Sequence, residues 1–215
     1  MTNSSRLIVW LALMAGLVTL AYASRAAVGK PEKDVLYHYS SALSVAVQYA
    51  ILITVVAAIA GASRSLLGLR RPAPWPRALR LAGSVFVLIY VSTAILDQFL
   101  HAGREQGLTP STWEPQHAGA YAVNFVMIAV VAPIAEELTY RGLGYSLLAR
   151  YGRWTAILGT AILFGLSHGL VEGLPVLTLF GIGLGWLRSR VDSVYPGMLV
   201  HGAFNGLALI LAVTI

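Results

Sequence analysis

Apolar residues in this chain are neither alternating nor confined to one helical stripe; they fall in long, almost unbroken runs. The runs over residues 7–24, 41–62 and 81–100 are the clearest, and further ones cover 118 to about 149, 155–171, 174–187 and 195–215, shorter or interrupted by ionisable residues and glycines. A bilayer core needs about 20 apolar residues per helix. The pattern therefore predicts an all-α fold: a polytopic integral membrane helix bundle with about seven transmembrane helices. It reads as a single membrane-embedded domain over residues 1–215, with 1–117 supplying accessory spans and loops and 118–215 the core that carries the polar motifs. Arg6 before the first run and Ala21-Tyr22-Ala23 near its end resemble a secretory signal. A run of about 17 apolar residues is longer than the usual signal-peptide core, so an uncleaved first span is expected.

The breaks between runs carry the charge. Arg70, Arg71 and Arg77 flank Pro72, Pro74, Trp75 and Pro76, and three prolines exclude a helix interior, so residues 70–77 read as a linker at the membrane surface. Residues 103–116 are polar and turn-rich, with Pro110, Pro115, Glu105 and Glu114, and read as an external loop. With the N-terminus inside, the inner segments hold eleven Lys and Arg, namely Arg6, Arg64, Arg70, Arg71, Arg77, Arg80, Arg141, Arg150, Arg153, Arg188 and Arg190. The outer ones hold four, Arg25, Lys30, Lys33 and Arg104. Positive loops stay inside, so an N-in, C-out chain is expected.

Composition agrees with a lipid solvent. Of the 215 residues 57% are hydrophobic and 11% charged, the mean hydropathy is +0.73, and a soluble domain carries roughly a quarter charged residues. The net charge of +6 sits between apolar runs, against anionic headgroups, and not on a face suited to nucleic acid. With no cysteine in the sequence, disulfides, thiolate metal sites and Cys nucleophiles are excluded.

An ionisable residue inside a span costs roughly 2.5 to 3.5 kcal/mol on insertion scales, so each needs a reason. Asp97 lies near the end of its run, where an interfacial position accounts for it. Glu136 and Glu137 are adjacent, and Arg141 follows Glu137 at the i,i+4 spacing that pairs acid with base. Glu136, about 100° round the helix, is left facing the bundle without a partner of its own, as a proton-transferring carboxylate needs. Phe164 with His168, and His201 with Asn205, repeat the i,i+4 spacing in two further runs, each pair on one helix face. Acid, two imidazoles and an amide make an acid/base and oxyanion-stabilising set. At about 1.5 Å rise per residue, Glu136 and His168 lie about 20 Å, and His201 and Asn205 about 12 and 18 Å, from their inner helix ends, provided the fourth helix continues to about Ala149. A long, tilted fourth helix with its Glu and Arg side chains turned from lipid is expected.

Other patterns carry less. Gly165-Leu166-Ser167-His168-Gly169 spells G-x-S-x-G, but that nucleophile motif requires a strand-to-helix turn, and this stretch reads as apolar helix. The sequence has no His-Glu-x-x-His. Gly165/Gly169, Gly181/Gly185 and Gly202/Gly206 are small-xxx-small pairs that let helix backbones approach.

Glu136-Glu137-x-x-x-Arg141, Phe164-x-x-x-His168 and His201-x-x-x-Asn205, in this order, resemble the three motifs of the CPBP intramembrane proteases, which include the CAAX prenyl endopeptidases and the Abi-type bacterial proteins. The likeness covers about a third of the chain. It implies that Glu136 is the general base activating a water and that His168 helps position it. It further implies that His201 and Asn205 stabilise the oxyanion, Glu137 and Arg141 hold the site in shape, and Phe164 packs beside it in the substrate pocket. A glutamate mechanism without cofactor is expected; the residues also permit a zinc variant with Glu136, His168 and His201 as ligands in an open three-ligand site.

The expected partners are the lipid bilayer and a membrane-anchored peptide or protein substrate, and the expected location is a cell membrane, crossed several times. Thirteen Arg against two Lys, with much Ala and Gly, point to a bacterial plasma membrane, where prenylated CAAX substrates are not expected. Two other classes compete. A non-catalytic immunity or scaffold protein has no need of the full polar set, and a transporter predicts inverted repeats, of which the sequence has none.

Overall fold

The computed structural model describes residues 1–29, 34–100, 105, 107–108, 110 and 112–214. Among them the chain is all-helical. Seven principal helices run up and down in turn: α1 Asn3–Val28, α2 Tyr39–Ala60, α3 Trp75–Leu100, α4 Pro115–Tyr151, α5 Arg153–Leu166, α6 Leu174–Val191 and α7 Tyr195–Thr214. Five of them, α1 to α4 and α7, are long and apolar enough to cross a membrane, while α5 has 14 residues and α6 ends in Arg188 and Arg190. The chain is a multi-pass membrane protein. Lys30, Lys33 and Arg104 from the outer tally, with much of the loop before α4, lie outside the described residues.

Local chemistry sets the ends. The Thr2 hydroxyl accepts the Ser5 N–H and caps α1, and Gly61, at φ 62°, closes α2 in the left-handed conformation that only glycine adopts without cost. The proline linker is shorter than expected. Helix α3 begins at Trp75, because a proline in the first turn, here Pro76, removes an N–H that has no helical acceptor anyway.

Helix α4 is the long fourth helix, continuous over Pro115–Tyr151, with two turns widened to π geometry at Met127–Val131 and Leu138–Gly144. Pro133 follows the first. In π spacing the Ile128 carbonyl awaits the N–H of residue 133, and proline has none. The Asn205 amide of α7 donates to that carbonyl instead, at 3.0 Å.

The core joins all seven helices, with Trp10 and Met14 of α1, Val56 of α2, Leu143 and Leu147 of α4, Phe164 of α5 and Leu184 of α6 among its members. Helix α1 buries a narrow stripe, Leu7, Trp10 and Met14, and turns Ile8, Leu11 and Leu20 outward to lipid. Gly181 of α6 lies so close to α5 that a Cβ there would stand 2.9 Å from Ala161 Cα. The Gly181/Gly185 and Gly202/Gly206 pairs are packing contacts as expected, whereas Gly169 is not in a helix. It sits at φ 66° in the turn after α5, against the Ala21 carbonyl of α1.

Candidate active site

The middle of α4 places Glu136, Glu137 and Arg141 toward the bundle, 8%, 0% and 0% exposed. Arg141 Nη1 lies 2.9 Å from Glu137 Oε1. Its Nη2 donates to the Gly181 carbonyl of α6 at 3.2 Å, and its guanidinium stands 4.5 Å over the Phe164 ring. Removal of either partner would leave a bare buried charge, a loss of roughly 3–5 kcal/mol. Gly197 makes room for the second oxygen of Glu137, which a Cβ there would meet at 2.6 Å. That oxygen has no hydrogen-bond partner among the described residues.

His201 bridges the two acids. Its Nδ1 lies 3.3 Å from Glu137 Oε1 and its Nε2 3.6 Å from Glu136 Oε2. The ring is 3% exposed and is held between Phe164 and Phe180, with centroids 5.8 and 4.9 Å away. Asn205, one turn on, spends one amide N–H on Ile128. An amide carries two, so a second donor remains.

Two expectations need correcting. Helix α5 stops at Leu166 with Ser167 as its cap, so His168 lies in the turn that follows and not inside a helix running to residue 171. The reason is Gly169, whose left-handed conformation turns the chain off the helix axis. His168 still keeps its i,i+4 relation to Phe164, because its Nδ1 donates to the Phe164 carbonyl at 2.7 Å. A carbonyl only accepts, so the proton is on Nδ1 and Nε2 is an acceptor when the ring is neutral. The Ser167 hydroxyl is turned away, donating to the Phe164 carbonyl and accepting from Tyr140, which leaves G-x-S-x-G without a nucleophile geometry.

The second correction is Glu136 itself. It is not without a partner, for the Tyr49 hydroxyl of α2 donates to its Oε1. Tyr49 is the residue that sequence reasoning missed. Its only signal was the polar pair Gln48-Tyr49 inside an apolar run, and both line the same cavity as Glu136. That cavity has a volume of about 480 Å³ and gathers Glu136, His168, His201 and Asn205, with Phe164 in its wall. Asp97 lines it too. Glu137 and Arg141 lie behind the wall.

Among the described residues no group of three or more His, Asp or Glu side chains is placed to hold a metal ion. Glu136, His168 and His201 do not form such a group.

Outside the membrane-spanning segments two carboxylates are shifted. Glu105 lies below its ordinary 4.5: its partial burial pushes upward, but the N–H groups of Val171 and Gly173 and the Arg25 guanidinium outweigh that. Asp192, at the end of α6, lies below 3.8 in the same way, with Arg188 and Arg70 overcoming burial.

Residues 118–207 match the family model described as type II CAAX prenyl endopeptidase Rce1-like, a stretch that contains all three motifs. No curated protein and no solved structure matches the chain.

Proposed function

We propose that the protein is an intramembrane endopeptidase that hydrolyses a peptide bond in a membrane-associated substrate by means of a water activated by Glu136. The observation that carries this is the single cavity in which Glu136, His168, His201 and Asn205 meet. Glu136 takes a proton from the water, and His168 Nε2, facing the cavity as an acceptor, orients it. As the water attacks the carbonyl carbon, charge gathers on the carbonyl oxygen. The free N–H of Asn205 and the Nε2–H of His201 are the donors within reach. His201 is suited to this because Glu137, itself paired with Arg141, favours a proton on Nδ1 and steadies positive charge on the ring. The proton on Glu136 then passes to the leaving amine as the C–N bond breaks. We further propose that the chain crosses the membrane seven times, α5 doing so together with the turn that follows it, with the N-terminus inside, and that no metal takes part.

The test is purified protein in detergent with a library of lipidated and transmembrane peptides. Glu136→Ala is expected to lower kcat by roughly two to four orders of magnitude, with a chelator changing nothing. Unchanged cleavage in the variant removes Glu136 from the mechanism; cleavage abolished by the chelator restores zinc.

A further inference from the structure

The bundle has two unlike ends, fixed by contacts. At one, Arg6 donates to the Ile59 carbonyl, Arg150 to Ser4, and Arg70 pairs with Asp192. At the other, Tyr22 donates to the Leu170 carbonyl, Arg25 pairs with Glu105, and Tyr37 donates to the Thr112 carbonyl. The first end collects Arg6, Arg64, Arg70, Arg71, Arg77, Arg80, Arg150, Arg153, Arg188 and Arg190, against Asp192 as its acid. Arg141 is not part of this tally, since it is buried against Glu137, and the bias stands without it. The second end carries Asp34, Glu105, Glu114 and Glu172, with Arg25 as the basic residue described there.

The cavity runs from the middle of the bundle toward the second end. Its walls are the first half of α2, the last part of α3, Ile128, Ala132 and Glu136 of α4, Phe164 of α5, the start of α6 and α7 from His201 out to Ala212, with Leu108 and Gly173 from the adjoining loops. Toward the arginine end it is closed by Arg141, Leu143, Leu184 and Leu187, each fully buried. Helix α1 gives a ruler. Arg150 meets Ser4, and Gly169 meets Ala21, 17 residues or about 26 Å further along. The turn that carries His168 is therefore shallow from the second end and deep from the first.

Arginine-rich short loops remain in the cytoplasm. We infer that the cavity opens to the side of the membrane opposite the cytoplasm, and that the substrate is a membrane-tethered protein whose scissile bond lies in an apolar segment on that side. The substrate half rests on the proteolytic reading above; the sidedness does not. A peptide bond near a cytoplasmic C-terminus would have to pass the buried Arg141 plug to reach Glu136.

The sequence has no cysteine, so single thiols can be introduced without background. Thr112→Cys marks the second end, Ser65→Cys the arginine end and Ala208→Cys the cavity wall. Intact cells are treated with a charged, membrane-impermeant thiosulfonate, in the wild-type and the Glu136→Ala background, so that labelling is independent of catalysis. Thr112→Cys and Ala208→Cys are expected to react in intact cells, and Ser65→Cys only after permeabilisation. Reaction of Ser65→Cys in intact cells with Thr112→Cys protected reverses the orientation and overturns the inference. Thr112→Cys labelled from outside with Ala208→Cys labelled only after permeabilisation overturns the direction of opening. Single-span reporters with the same apolar segment on one side or the other then address the substrate: cleavage on the non-cytoplasmic side is expected, and cleavage confined to the cytoplasmic side refutes it.

Discussion

Glu136 has one oxygen held by the Tyr49 hydroxyl and the other facing His201 Nε2, so the carboxylate is fixed in orientation before any substrate arrives. A hydrogen bond to an ionised group contributes roughly 1.5–3 kcal/mol. Tyr49→Phe keeps the ring and removes only that bond, and is expected to lower kcat roughly ten- to a hundredfold, at about 1.4 kcal/mol per factor of ten, with KM and thermal stability little changed. An equal loss in KM and kcat would make Tyr49 a substrate contact, and no loss would remove it from the site. The site's other members were legible because each is an expensive polar residue in an apolar run. Tyr49 was not, because tyrosine is common near both membrane interfaces and nothing in its neighbourhood names a carboxylate 87 positions away.

The length of α4 was legible from the apolar stretch after Glu137, but its two π turns were not, since a widened turn depends on what the neighbouring helix supplies. Asn205 is the case in point: it donates to the Ile128 carbonyl that Pro133 leaves without a helical partner. Asn205→Ala is expected to cost about 1–3 kcal/mol of stability for the orphaned carbonyl, beyond any effect on rate. A lowered rate with unchanged melting would confine Asn205 to the chemistry. The end of α5 was equally hidden, because the turn carrying His168 is held from outside: Glu105 accepts the N–H groups of Val171 and Gly173, while Tyr22 and Arg25 donate to Leu170 and Gly169. The Glu105 pKa is lowered on folding, so this strap is fully formed above the unfolded value near 4.5 and is lost as pH falls through the lower folded value. Wild-type melting in detergent should drop below about pH 4.5, and Glu105→Gln should flatten that limb of the profile. A variant that retains the full acid-side drop places its origin elsewhere, Asp192 being the next carboxylate to test.

For the molecule as a whole, apolar run length was a good guide to helices and a weaker one to spans. Helix α5 measures about 21 Å at 1.5 Å per residue, short of the roughly 30 Å hydrocarbon core, because it gives way to a polar turn that other helices shelter. Backbone of that kind is tolerated at membrane depth only when buried in protein, and α1 provides part of the shelter. Its attachment is narrow, and Trp10 is its centre, fully buried, with the indole N–H donating to the Thr139 carbonyl at 3.2 Å. The ring lies against Gly144, where a Cβ would approach it to 2.3 Å. Both contacts fall on the second π turn of α4, the one that contains Arg141. Trp10→Ala should therefore open a cavity beside that turn, with a cost of about 3–5 kcal/mol, seen as a lower melting temperature in detergent. Because the turn presents Arg141 to Glu137, cleavage should fall at temperatures where the variant remains folded. Trp10→Phe refills most of the volume without the indole N–H and should recover the larger part of the stability. If Trp10→Ala melted with the wild type, the indole would add nothing to the attachment of α1, and the shelter of the His168 turn would rest on Tyr22, Arg25 and Glu105.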